Sequence, residues 1–452
     1  MSESIENVLH KDHVLELTKA LDSGSVFQVR HMLNTLPAPG IAHLLESTPP
    51  KARNVLWQLV DQESEGEVLQ YLNEDIQSEI LKQLNAEEVV ALTEGLETDD
   101  QVDILQQLPQ QVTAEVLQSM DLQDRQRLEQ VLSYPEDTAG GLMNTDTITV
   151  RPRHTIDVVL RYLRRHAQLP EMTDNILVVN RDDVFVGILP LRKLLVSGPG
   201  TTVREVMTTD IEAIPVDMEA TQIAHLFEQH DWVSAPVVDH DGKLLGRITI
   251  DDIVDVIRDS AEHSLMSMAG LDEEDDTFAP VLKTARRRAV WLGVNLMTAI
   301  YASIVIYLFQ DTLDSVVYLA VLMPIVASMG GVAGSQTLTL VVRSLALGHI
   351  TQSNTRWLLA RELGVAALNG LLWALVISTV TYVWYRDPLL SSIIAVALIL
   401  NLITAALAGA YLPLFLKRIN IDPALAGSVA LTTVTDSVGF FAFLGLATIF
   451  YM

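Results

Sequence analysis

The sequence predicts a multidomain membrane protein. It reads as an all-α helical-repeat N domain, an α/β domain made of two related units, a connecting helix and an α transmembrane domain of five helices. Three observations predict this. Residues 1–275 hold 50 Asp and Glu against 20 Lys and Arg, whereas residues 276–452 hold 7 against 10, within a formal charge of −27. A period of twelve residues runs through the first segment. Five C-terminal stretches each reach the roughly 20 apolar residues that cross a bilayer.

The charge split bounds function first. An acidic soluble half repels nucleic acid, because binding phosphates requires Lys and Arg to displace counterions, and it attracts metal cations. The chain has no Cys, which excludes disulfides, thiolate metal sites and Cys nucleophiles. The N-terminal stretch, from Met1 to His13, is polar and acidic with no apolar core, so no signal peptide is expected and the soluble half is expected in the cytosol.

The N domain covers residues 1–136, and its residues 29–132 carry the repeat. Leu36, Val60, Leu72, Leu84, Leu96, Leu108, Met120 and Leu132 share one phase, with Thr48 out of class. Four residues earlier stand Met32, Leu44, Leu56, Val68, Ile80, Leu92, Ile104, Val116 and Leu128. Apolar residues at i, i+1 and i+4 make one narrow helix face, and twelve residues fit about two turns plus a connection. Pro37, Pro39, Pro49, Pro50 and Pro109 fall at the connections, where helices stop. The pattern predicts a solenoid of short helices, with a plain helical bundle as the other scaffold. Asp99 and Asp103, at i and i+4, could share a cation, although acids on a solvated face are commoner.

Residues 137–200 and 201–257 form two related units. Ile176–Leu194 aligns without a gap on Ala235–Ile253, at an offset of 59. Each reads as a strand, an Asp/Gly turn, a second strand and a helix. An alternating strand and a helix come before each, from Met143 to Leu163 and from Met207 to Phe227. This arrangement resembles a tandem pair of CBS domains. The resemblance implies adenosine-nucleotide binding, such as ATP, through Thr249 and Asp252 of the second unit. Pro190 and Lys193 stand at the matching places of the first unit and lack both groups. The alternative is that Thr249 and Asp252 only cap a helix.

Residues 258–288 read as a connector. Asp251, Asp252, Asp255, Asp259 and Glu262 recur at spacings of three and four, so most share one helix face. Like charges at that spacing oppose a helix by roughly 0.2–0.5 kcal/mol per pair, and a bound cation would reverse the sign. A second acidic run covers residues 272–276. The transmembrane domain, 289–452, has spans at about 289–309, 316–342, 357–385, 389–415 and 424–451. Lys283, Arg286, Arg287, Arg288, Arg343, Arg356, Arg361, Lys417 and Arg418 flank one side, and Arg386 the other. The positive-inside rule then places the N-terminus in the cytosol and the C-terminus outside.

Asp436 lies near the middle of the fifth span, where a carboxylate costs about 2.5–3.5 kcal/mol on insertion scales. No basic partner in the spans is evident, so it is expected to face an ion path, with Thr432, Thr433, Thr435 and Ser437 giving a wet surface. The small residues of Met329–Gln336, after Pro324, allow either close helix packing or a break exposing carbonyls. A two-fold dimer would bring two copies of Asp436 to one axis. Mg²⁺ accepts one or two carboxylates because it keeps several waters.

The stretches Tyr134–Met143, Gly330–Gln336, Asp422–Ala424 and Thr435–Gly439 resemble the MgtE family of Mg²⁺ channels, and the resemblance covers the whole chain in order. It implies a homodimer in the cytoplasmic (inner) membrane with one pore on its axis, in which Asp436 holds a hydrated Mg²⁺. It implies a plug helix, here about 258–275, that closes the pore when Mg²⁺ bridges Asp251, Asp259, Glu262 and Asp422; Asp255 belongs to the same acidic face. Val332 and Ser335 depart from the family's Asn residues and put selectivity among Mg²⁺, Mn²⁺, Co²⁺ and Ni²⁺ in question. A membrane enzyme lacks motif support here. A proton-coupled divalent-cation transporter is the alternative, and a receptor without transport leaves Asp436 unexplained.

Overall fold

A computed structural model describes residues 26–166, 169–271, 276–347, 349–350, 353–419 and 421–452. The polar N-terminal stretch and most of the acidic run 272–276 lie outside the described residues. The chain divides into two compact units, Met1–Ser260 with Glu274–Pro280, and Ala261–Glu273 with Val281–Met452.

The twelve-residue period sets the first unit's helices. They are α1 Val26–Leu33, α2 Ala38–Glu46, α3 Pro50–Trp57, α4 Gln62–Gln70, α5 Glu74–Leu81, α6 Ala86–Thr93, α7 Thr98–Gln106, α8 Gln110–Ser119 and α9 Leu122–Val131. From α1 to α9 each begins twelve residues after the one before. Stop signals repeat in the same register. Pro37, Pro49 and Pro109 come immediately before their helices with φ already fixed. Asn73, Asn85 and Asp121 accept backbone N–H groups as N-caps, and Asn85 forms a reciprocal box with Glu88. The apolar phase from Leu44 through Leu56, Val68, Ile80, Leu92, Ile104 and Val116 to Leu128 is buried throughout. Alternate helices pack on each other, α2 on α4, α4 on α6 and α6 on α8. That is the stacking of a solenoid.

Arg53, on α3, is almost wholly buried. Its Nε donates to the Leu45 carbonyl at 3.0 Å and its guanidinium pairs with Asp276 at 2.9 Å. Residues 276–280 therefore belong to this unit although they lead into the membrane helices.

After α10 (Ala139–Leu142) the duplicated α/β domain follows. Its first half is β1 Thr149–Val150, α11 Ile156–Leu163, β2 Asn175–Val179, β3 Phe185–Pro190 and α12 Leu191–Val196. After α13 (Val203–Val206) come β4 Ile214–Pro215, α14 Ala220–His230, β5 Ser234–Val238, β6 Leu244–Thr249 and α15 Ile250–Met268. The sheets run β1-β2-β3 and β4-β5-β6, each with one parallel and one antiparallel pairing. The offset of 59 relates β2 to β5, β3 to β6, and even the irregularity at Val178/Val179 to that at Val237/Val238. The halves interlock reciprocally, Asn144 bridging Arg247 and Thr208 bridging Ile188.

No helix boundary falls at 257/258, where the sequence reading begins the connector. One helix, α15, runs unbroken to Met268 because Ile250–Met268 contains neither Gly nor Pro. It ends before Gly270, whose φ is +70°. A Cβ at Gly270 would lie 1.8 Å from Trp291 Nε1.

The second unit holds five helices long and apolar enough to cross a membrane: α16 Val281–Tyr307, α18 Tyr318–Ala346, α19 Thr355–Tyr385, α20 Pro388–Arg418 and α21 Pro423–Tyr451. A short helix not expected from the sequence, α17 (Gln310–Ser315), joins the first two. The α20 helix is the central one, packing on α18, α19 and α21. Small residues set the spacing. A Cβ at Gly409 would lie 2.6 Å from the Gly334 carbonyl, and one at Gly334 would meet Leu431 at 2.8 Å. The glycine-rich stretch of α18 stays helical throughout, so it serves close packing and is not a break.

Candidate functional site

Two arrangements carry chemistry, one in each unit. In the first, α7 brings Asp99, Asp100 and Asp103 near the acids on the opening turns of α15, with Glu97 and Glu136 beside them. Their charges act on one another. Burial first, then Asp252, Asp100 and Glu97, hold the Asp99 carboxyl well above the usual range. Burial and then Asp252, Asp103, Glu97 and Asp251 push Asp100 up to about 8. Asp103, which still reaches solvent, rises to about 7 through burial and then Glu136, Asp255 and Asp259. Burial, with Asp251, raises Asp252 to about 7, and burial also raises Asp255. Arg258 pairs with Asp255 at 2.8 Å and Asp259 at 3.2 Å on the exposed side. A set of carboxylates that push each other's pKa upward either takes up protons or takes up a cation. All donors are hard carboxylate oxygens, which suits Mg²⁺. Among the described residues, no three acids or imidazoles converge to ligate one ion directly.

Asp252 is therefore part of this acidic cluster. Its Oδ2 accepts from the Thr249 amide at 3.2 Å and from the Thr249 hydroxyl at 3.0 Å, and the same hydroxyl bonds Asp251. These are helix-capping contacts. At the equivalent place in the first half, Lys193 Nζ donates to Thr208 Oγ1 at 3.0 Å.

In the second unit, residues near the end of α15 pack on the membrane helices. His263 lies 3.4 Å from Asp422, which also caps α21 by accepting from the amides of Ala424 and Leu425. Met268 packs against the cluster of Leu338, Val342, Ala424 and Leu431. Glu262 sits on the same segment, one residue before His263.

Asp436 lies at the middle of α21, half-buried. Among the described residues it forms no hydrogen bond or ion pair. The hydroxyls near it are less available to water than expected. Thr432, Thr433 and Thr435 each donate to carbonyls of their own helix at 2.7–3.2 Å, as Thr in membrane helices often does. Only the Ser437 hydroxyl is left, buried and without a partner among the described residues. Val332 and Ser335 are exposed in the single chain.

Sequence reasoning missed Asp100, Glu97 and Glu136. Their spacing shows no pattern of its own, and their neighbours on α15 lie more than a hundred residues away. It also passed over Asn401, a buried amide in α20.

Comparison with known proteins follows the same division. A profile described as the MgtE intracellular N domain matches residues 36–137, CBS-domain profiles match 139–198 and 203–259, and a divalent cation transporter profile matches 323–446. The magnesium transporter MgtE of Thermus thermophilus is 33% identical over 330 residues, covering 73% of each chain. That of Bacillus subtilis is 30% identical over 334 residues, covering 74% of each. Among solved structures, the cytosolic domain of the Mg²⁺ channel MgtE in complex with ATP is 32% identical. It aligns with a TM-score of 0.50 over 54% of this chain and 99% of that one. With each of its domains matched in order and a 33% identical relative over most of its length, the chain is a membrane protein of the MgtE family of magnesium transporters.

Proposed function

We propose that this chain is a Mg²⁺ channel for uptake across the cytoplasmic membrane, with Asp436 in the pore and the acidic cluster as the Mg²⁺ sensor that closes it. One observation carries the reading: a carboxylate with no partner among the described residues stands at mid-span of a membrane helix. Such a group needs a cation, water or a second copy. One unpartnered mid-span acid per chain, among the described residues, suits a homodimer, in which two copies of Asp436 flank a hydrated ion. The exposed apolar residues of α16, such as Val290, Leu296 and Met297, are available for lipid or for a second copy. The excess of Lys and Arg at one set of helix ends supports a cytosolic N-terminus and an external C-terminus.

In the sensor, Asp99, Asp100, Asp103, Asp251, Asp252, Asp255 and Asp259 repel one another when no cation is near. Hydrated Mg²⁺ among them favours the docked arrangement of α7 on α15. Glu262, near the end of α15, and Asp422, at the start of α21, are the further acids assigned to Mg²⁺ sensing, within the second unit. The ion shifts the equilibrium by its higher affinity for the docked state, and that state is the closed one. ATP binding at Thr249 and Asp252 is part of this proposal, supported by the relative solved with ATP.

The proton-coupled alternative rests on the same lone carboxylate. Purified protein in planar bilayers separates the two. A channel gives currents whose reversal follows the Mg²⁺ gradient and ignores a pH gradient. A reversal that moves with the pH gradient overturns the channel reading.

A further inference from the structure

Asn401 is fully buried in α20, in the middle of the membrane unit. Its Nδ2 donates to the Val326 carbonyl of α18 at 2.8 Å. The carboxamide is held between two glycines of the flanking helices. A Cβ at Gly330 of α18 would lie 2.3 Å from Nδ2, and one at Gly439 of α21 would lie 2.7 Å from it. Oδ1 is buried and has no partner among the described residues. By helix length, Asn401, Gly330 and Gly439 each sit two residues from the midpoints of α20, α18 and α21. Asp436 sits one residue from the midpoint of α21. All four are at one depth.

A leucine would fill much the same space without stranding a carbonyl in an apolar core. What the amide adds is register. It can satisfy Nδ2 on one carbonyl of α18, and its bulk admits α21 only where that helix presents a glycine. Buried polar groups fix register in this way in other helix assemblies.

Resting on the reading of Asp436 as the pore carboxylate, we propose that Asn401 is a positioning residue for ion selectivity. It fixes the depth and rotation of α21 against α18 and so the place of the Asp436 carboxylate. The lever is direct. Gly427, Leu431, Thr435, Gly439 and Phe443 form the buried stripe of α21, and Asp436 stands beside it, about 60° around the helix from Gly439. Side chains reach some 5 Å from the axis, so a rotation of about 20° moves the carboxylate by about 2 Å. A hydrated ion held between two such groups would feel that displacement.

The test uses full-length protein in liposomes and reads the half-saturating Mg²⁺ concentration and the Mg²⁺/Ca²⁺ flux ratio, with size-exclusion elution as the control for folding. Asn401→Leu is expected to raise the half-saturating concentration and lower the flux ratio by about tenfold. Gly439→Ala should do the same by pushing the amide aside. Asn401→Ala with Gly439→Ala should be less impaired than Gly439→Ala alone, because the methyl occupies space the amide has left. This pair carries the test should Asn401→Leu not fold. Wild-type half-saturation and flux ratio in folded Asn401→Leu, with only the maximal flux reduced, would overturn the proposal, as would strict additivity in the pair. Asp436→Ala, run in parallel, separates the two readings. If it abolishes flux, the pore reading stands and the Asn401 variants decide; normal flux in that variant overturns both.

Discussion

Removing one negative charge from the acidic cluster should strengthen the docking of α7 when no divalent ion is present. The substitution is Asp100→Asn. In the folded chain burial and then Asp252 raise this carboxyl from 3.8 to about 8. The folded state therefore binds a proton that the unfolded state releases. Stability rises as pH falls through about 8, and the penalty is largest above it. For one such group, going from about pH 8 to about pH 6 yields about 2 kcal/mol. Asp99, Asp103 and Asp252 share the titration, so the total stays near that figure instead of multiplying. An amide carries no charge at either pH, so it removes this dependence, and its advantage over wild type should be about 2 kcal/mol larger near pH 8 than near pH 6. The assay is hydrogen exchange of the α7 amides in full-length protein in detergent with chelator, corrected for the pH dependence of intrinsic exchange. The variant should exchange more slowly than wild type, by a factor about 30-fold larger near pH 8 than near pH 6, by the equivalence of 1.4 kcal/mol to tenfold. The two should converge only as pH falls to about 4, the ordinary range of the carboxyl. Mg²⁺ should slow wild type near pH 8 and affect the variant less. Faster exchange in the variant, or an unchanged pH dependence, would refute the reasoning.

Further outcomes follow from the other contacts. Arg53→Met leaves Asp276 buried without its guanidinium, a loss of about 3–5 kcal/mol, and should lower the unfolding temperature of the first unit by roughly 10 °C; Asp276→Asn should cost less. In calorimetry, Asp252→Ala should weaken ATP binding whereas Lys193→Ala should leave it unchanged, and the reverse order would remove the asymmetry between the two halves. Asp259→Ala with Glu262→Ala should keep the channel open at Mg²⁺ concentrations that close wild type, with weaker protection of the connector from protease. Closure at the wild-type concentration would show that the end of α15 is not the sensor.

How much was legible depended on sequence distance. The twelve-residue repeat could be read because apolar faces and stop signals recur in one register, and Pro37, Asn73, Asn85 and Asp121 stand where the helices begin. The duplication could be read because equal strands keep an equal offset. The acidic face of α15 was visible as a periodicity. That α7 lies opposite it was not, because a pairing across more than a hundred residues leaves no local pattern. Arg53 and Asp276 were hidden for the same reason. In the membrane helices, Asp436 stood out because a charge there is expensive. Asn401 did not, since one amide in a long apolar run resembles a tolerated polar residue, and its meaning lies in the two glycines that hold it. The Thr residues around Asp436 suggested water because a hydroxyl's partner cannot be read from sequence. Here the partners are carbonyls of the same helix.

The central claim is that Mg²⁺ passes Asp436. Flux of Mg²⁺ into dye-loaded liposomes containing Asp436→Ala, normalised to folded protein, tests it most directly, with Asp436→Asn alongside. The account predicts no Mg²⁺ flux in Asp436→Ala despite normal insertion and assembly. It also predicts a severe loss in Asp436→Asn, which keeps the hydrogen bonding and removes the charge. Wild-type flux in Asp436→Ala would contradict the account and place the ion path elsewhere.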